Sequence, residues 1–133
     1  MDKLLNALLT VLQADATLTA LVSAGNIRVA YQEEAKAYPC IIILPGSALP
    51  PDAPDDMIKD NIPILVKSQE NNLACIAIHN RIKALLHKKQ ANVTDASCIV
   101  HVLRYNRDGR RYYDGNRTWM QENFYYCVAE DVS

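Results

Sequence analysis

The chain has 133 residues, half of them hydrophobic and 22% charged, with four glycines and six prolines. That composition excludes a linker or low-complexity tract, and one domain of this length buries roughly two thirds of its unfolded surface. Fourteen basic against fifteen acidic residues leave a net charge of −1, which excludes a uniformly basic coat for nucleic acid.

No apolar run approaches the roughly eighteen residues of a membrane span, so no membrane partner is expected. The first residues carry Asp2 and no basic stretch leading into an apolar core, so no secretory signal is expected either. Cys40, Cys75, Cys98 and Cys127 are widely separated and form no CxxC pair. Only Cys75 with His79, and Cys98 with His101, approach chelate spacing. They read as reduced, buried thiols without a metal.

The first element is a helix from about Asp2 to Gln13, because Leu4, Leu5, Leu8, Val11 and Leu12 recur at spacings of three and four. A short helical segment follows from Ala16 to Ala24 and stops at Gly25. Ile27 to Tyr31 alternates as a short strand. Tyr38 to Leu44 (YPCIIIL) is a continuous β-branched run, which predicts a central strand covered on both faces. Pro45 to Asp56 is a proline- and aspartate-rich loop with little apolar area to offset its ordering, expected to be mobile in a free subunit and ordered in an assembly.

Met57 to Lys67 is a strand with Ile58, Asp60, Ile62, Ile64 and Val66 on one face, and Pro63 signals an unpaired or bulged edge. The main second helix spans Asn72 to about Lys88, capped by Asn71 or Asn72, with Leu73, Ile76, Ala77, Asn80, Ala84 and Leu85-Leu86 facing the sheet. Two alternating strands close the chain, Cys98 to Tyr105 and Trp119 to Val128. Asn106 to Arg117 (NRDGRRYYDGNR) lies between them as a long exposed hairpin arm with turn signals at Asp108-Gly109 and Asp114-Gly115.

The expected core is Leu4, Leu8, Val11, Ile42, Leu44, Ile62, Ile64, Val66, Ile76, Leu85, Val100, Val102, Phe124 and Tyr126. This order of elements predicts an α+β fold in a single domain spanning 1–133, with a mixed or mainly antiparallel sheet and two main helices packed on it.

The search for chemistry returns little. No GxGxxG, GxxxxGK[ST], GxSxG or HExxH occurs. His79 and His87 lie about 12 Å apart along one helix, too far to share a metal, and read as solvent-edge residues. His101 has no sequence neighbour to work with. Glu33-Glu34 and Asp55-Asp56 are paired carboxylates in polar, solvated segments, unsuited to general acid catalysis. No enzyme, catalytic residue, cofactor or metal is expected.

Charge distribution says more than net charge. Arg28 to Glu70 holds four bases and seven acids; Asn71 to Arg117 holds nine bases and three acids. The arm contributes Arg107, Arg110, Arg111 and Arg117 beside Tyr112 and Tyr113. The acidic segments contribute Glu33, Glu34, Asp52, Asp55 and Asp56. Opposite signs on exposed segments suit either two solvated loops or a head-to-tail interface between copies, which closes a ring or grows a filament. These eleven residues are the expected interface residues.

The segment order DATLTALVSAGNIRVAY, AYPCIIIL, a proline-rich loop, IKDNIPILVKS, NNLACIAIHNRIKALLH, a polar YYDG tip and WMQENFYYCV resembles the lambda-type tail terminator and tail completion proteins of long-tailed phages. The likeness covers nearly the whole chain and rests on the order, length and character of segments. The PPDAPDD loop departs from the pattern, as does the shortage of glycine after Val22, where the family often has a fuller Gly-Arg-Ile-type signal to which Gly25-Asn26-Ile27-Arg28 comes close.

The resemblance implies a hexameric ring on the head-proximal end of a tail tube that stops tube polymerisation and presents a surface to the head-tail connector proteins. DNA would pass through its lumen without specific binding. The implied partners are further copies of the chain, the tail tube protein and the connector; the implied location is the virion tail, with assembly in the host cytoplasm. Two other readings remain: a nucleic-acid-binding module using the arginine-rich arm, and a small enzyme whose site forms between subunits near a perturbed His101.

Overall fold

The computed structural model describes residues 2–30, 37–46, 57–113 and 118–131. Helix α1 spans Asp2–Ala14 and α2 spans Ala16–Leu21, followed by a 3-10 turn at Ala24–Asn26. Strands β1 (Ile27–Val29), β2 (Cys40–Ile43) and β3 (Met57–Ser68) come next, then α3 (Asn72–Leu86) and α4 (Gln90–Val93). Strands β4 (Cys98–Tyr113) and β5 (Trp119–Asp131) close the described chain. The sheet order is β1-β2-β3-β5-β4, with β1 and β2 parallel and every other pair antiparallel. The α+β class expected from the sequence is the one observed, and the sheet is mixed.

The core lies on one face of this sheet. Ile27, Ile41, Ile43, Ile62, Ile64, Val66, Tyr125 and Cys127 are buried there beneath Leu4, Leu8 and Leu12 of α1 and Ile78, Ile82 and Leu86 of α3. The opposite face carries no helix among the described residues. There Ile42, Leu65, Phe124, Tyr126 and Val128 are only half-buried. The expectation that β2 is covered on both faces therefore fails at Ile42. In the expected core, Val11, Ile42, Leu44, Ile76, Leu85, Val102, Phe124 and Tyr126 prove half-buried.

Two causes account for the misplacements on β5 and α3. β5 has large apolar residues on both faces, and the helices cover the face holding Tyr125, Cys127 and Ala129, each 0% exposed. α3 likewise offers two apolar stripes. Cys75, Ile78, His79, Ile82 and Leu86 are buried at spacings of one helical face, while Leu73 stands 72% exposed and Ala77, Asn80 and Ala84 are exposed. The sheet took the stripe with more buried volume.

Local chemistry fixes the helix ends. Asn71 caps α3 by accepting the Ala74 N–H at 2.8 Å. Asp15 caps α2 by accepting the Leu18 N–H at 2.8 Å, and the same carboxylate takes a bidentate fork from Arg81 of α3 at 2.8 and 2.9 Å. That hydrogen-bonded guanidinium holds the Asp15 carboxyl below the usual range. Pro63 sits where β2 ends: the Leu44 N–H donates to its carbonyl at 2.9 Å, so its missing N–H falls on the side where the neighbouring strand gives out.

Both outer edges of the sheet are occupied. β1 is three residues long, and Gln13 Nε2 donates to the Ile27 carbonyl at 3.2 Å. On the β4 side, residues 87–95 run along the strand. The Lys88 N–H donates to the Leu103 carbonyl at 2.9 Å, and the Tyr105 N–H donates to His87 Nδ1 at 2.9 Å. The Thr94 hydroxyl takes the Val100 N–H at 2.9 Å, and Asp95 takes the Cys98 N–H at 2.9 Å.

Candidate assembly arm and uncovered sheet face

The sequence predicts a long exposed hairpin arm at 106–117, with its strands ending at Tyr105 and resuming at Trp119. Its described part continues the β4–β5 ladder, paired as far as Tyr113 with Trp119, so β4 runs eight residues past its expected end. Asp108-Gly109 is not a turn; it lies in β4 where the register slips between Asp108 and Arg111. A side chain at Gly109 would come within 2.7 Å of both the Glu122 carbonyl and the Phe124 ring. Glycine is needed there for that close approach. The Asp114-Gly115 turn and Arg117 lie outside the described residues.

Three register irregularities sit along β4: between Val100 and Val102, between Tyr105 and Arg107, and between Asp108 and Arg111. Each inserts residues that a strict alternation would misplace. The first sends Val102 to the uncovered face and Leu103 to the core. The second puts Arg104 and Arg107, three residues apart, on the same uncovered face. Arg104 stands opposite Tyr126 with its guanidinium 5.0 Å from the ring centroid, and Arg107 stands opposite Phe124 at 4.5 Å. Arg107, Gly109, Arg110, Tyr112, Glu122 and Phe124 border an open cleft of about 540 Å³.

On the helix side of the arm, Arg111 approaches Asp108 at 4.0 Å, an exposed pair worth little. Tyr113 packs on Trp119 with ring centroids 4.7 Å apart. Tyr112 and Tyr113 remain 44% and 47% exposed. The structure thus gathers Arg107, Arg110, Arg111, Tyr112 and Tyr113 on one projecting ribbon and divides them between its two faces. The expected acidic counterparts, Glu33, Glu34, Asp52, Asp55 and Asp56, lie outside the described residues. The expected loop 45–56 does so too, apart from Pro45 and Gly46.

A buried polar group beneath the arm escaped the sequence reading. His79 was expected at a solvent edge, yet it is 2% exposed and its Nε2–H donates to the Gln121 carbonyl at 2.7 Å. Burial holds its pKa down at about 4, so the ring is neutral. Gln121 Nε2 donates to Asn123 at 3.2 Å, and Tyr105 donates to Asp108. Desolvation, with Asp108 next to it, pushes the Tyr105 hydroxyl up to about 12. These groups line a recess of about 160 Å³. The available signal was that His79 falls on the stripe of Cys75, Ile78 and Ile82.

The remaining candidates are placed plainly. His101 is exposed and meets Glu130 at 3.0 Å across the strand pair. The four cysteines are buried free thiols, and burial pushes Cys127 up to about 12. Among the described residues no three His, Cys, Asp or Glu side chains cluster as metal ligands.

No protein family matches this chain by sequence, and no curated protein does. Its fold is nonetheless similar to a solved chain described as "Virion of native gene transfer agent (GTA) particle". The likeness has a TM-score of 0.76 at 18% identity and covers 94% of this chain and 92% of the other. At that identity the shared property is the fold.

Proposed function

We propose that this chain is a structural virion protein that forms a ring on the head-proximal end of a tail tube, ends tube polymerisation and joins the tail to the head connector. The observation that carries the reading is the near end-to-end fold likeness to a chain of a gene transfer agent virion. The projecting β4–β5 ribbon supports it, because a rigid two-stranded arm ending in exposed arginines and tyrosines has the composition of a protein interface. The role is one of assembly and not of catalysis. Partners are further copies of the chain, a tube protein and a connector, and DNA crosses the lumen.

In this reading Arg110 and Arg111, with Arg107, Arg117, Tyr112 and Tyr113, reach a neighbouring subunit whose Glu33, Glu34, Asp52, Asp55 and Asp56 supply opposite charge. The test is electron microscopy of the protein alone and mixed with tail tubes, with oligomer mass measured in parallel. The Arg110→Glu, Arg111→Glu variant is expected to keep its fold and melting temperature while losing ring formation or tail joining. Because salt screens the repulsion that the reversal introduces, the defect relative to wild type is expected to be largest at low salt and to shrink as salt rises. A folded variant that assembles and joins normally would return the arm to the solvent.

A further inference from the structure

We infer that the uncovered face of the sheet is a sequence-independent binding surface for the phosphate backbone of duplex DNA, centred on Arg104 and Arg107. The inference extends the proposed role, and its experiment is read separately from ring formation. Three observations carry it.

The first is charge. Lys59 and Lys67 of β3 and Arg104 and Arg107 of β4 lie on this face, against Glu122 and Glu130 of β5, while Arg110 and Asp108 both border its cleft and offset one another. Glu130 is already engaged by His101. For a chain of net charge −1 this is a concentrated cationic surface. A polyanion complements it, and each phosphate neutralised releases counterions.

The second is preorganisation. Each guanidinium lies over a ring, Arg104 on Tyr126 and Arg107 on Phe124. The ring restrains each guanidinium on the sheet, and its N–H groups can fork onto phosphate oxygens. Among the described residues neither arginine meets a carboxylate. The rungs Tyr126 and Phe124 are two residues apart on one strand, so the two stacks repeat at about 7 Å. The bulge at Asn106 creates this row, and Asn106 is held by its amide donating to Asn61 across the same face at 2.7 Å.

The third chooses between forms of nucleic acid. Surfaces that grip single strands stack bases on open aromatic rings. On this face Tyr126 and Phe124 each lie under one of the protein's own arginines, which leaves Tyr112, 44% exposed at the cleft, as a single open ring and not a row for successive bases. Contact is with backbone phosphates, which a duplex presents at twice the density of one strand.

The test uses the intact chain with a short fluorescent mixed-sequence duplex, the matching single strand and polyglutamate, over a series of salt concentrations. Oligomer mass is measured on the same samples. Wild type is expected to bind the duplex with an affinity that falls steeply with salt. Arg104→Gln, Arg107→Gln is expected to reduce the log–log salt slope by about two, roughly one per arginine, with melting unchanged. The control Lys88→Gln, Lys89→Gln removes the same charge beside α4 and is expected to keep the wild-type slope.

Equal losses in both double variants would overturn the proposal in favour of a net-charge effect. Preference for the single strand would overturn it too. Binding of polyglutamate without binding of DNA would reassign the face to an acidic protein. A subunit that binds duplex yet never assembles leaves this inference standing while the ring reading falls, and a ring that ignores DNA does the reverse.

Discussion

His79 shows how far one side chain can couple this fold to pH. Its folded pKa of about 4 lies below the value near 6.5 of an exposed imidazole, with burial as the main cause. The unfolded chain therefore binds a proton first as pH falls. The stabilisation is complete above pH 6.5 and is lost progressively down to pH 4, amounting to on the order of 3 kcal/mol. Urea melts at pH 7 and pH 4.5 are expected to show this loss in wild type and a smaller one in His79→Gln. The variant is itself expected to be less stable at pH 7, since it gives up the 2.7 Å bond to Gln121.

The sequence contained this residue's burial in its spacing from Ile78 and Ile82. It could not announce the partner, because a backbone carbonyl forty-two positions away carries no residue signature. The Asp15–Arg81 fork, sixty-six positions apart, was hidden for the same reason.

Among the elements, α1, β3 and the cap of α3 were legible because one face of each is plainly apolar or one residue plainly suits its end. β4 was not. Period-two reading presumes an unbroken pleat, and three irregularities in one strand move Val102, Arg107 and Arg111 onto faces that counting does not give. β5 and α3 defeated the pattern differently: each carries two apolar faces, and only the packing partner decides which is covered.

Lys88 belongs to the same scale. It follows α3 at a φ of 59°, the left-handed region where a side chain is strained and glycine is at ease. Lys88→Gly is expected to stabilise the protein by about 0.5–1 kcal/mol while keeping the N–H bond to Leu103. A thermal melt checks it, and a lower midpoint would mean that the lysine stem packs usefully on the strand.

For the molecule as a whole, the class of fold and the order of elements were readable, since composition, helix caps and alternating runs agreed. The one-sided covering of the sheet was not, because half-buried aromatics such as Phe124 and Tyr126 look the same in sequence as core residues. That one-sidedness leaves the chain with a hydrophobic floor that has cations laid on it, continuous with the arm.

The occupied sheet edges bear on solubility. A sheet with free edges templates its own copies without limit, which is how fibrils grow. Here the three-residue β1 offers almost no template, and the chain between α3 and β4 consumes the outward N–H groups of Cys98, Val100 and Tyr105. On the β4 side, among the described residues, strand addition is left to the ribbon beyond Tyr105. Thr94→Ala with Asp95→Ala uncovers the edge at Cys98 and Val100. That variant is expected to scatter light and bind thioflavin at concentrations where wild type stays clear, with a lag that shortens as protein concentration rises. On the role proposed above, a protein that limits the growth of another polymer is built so as not to start one of its own.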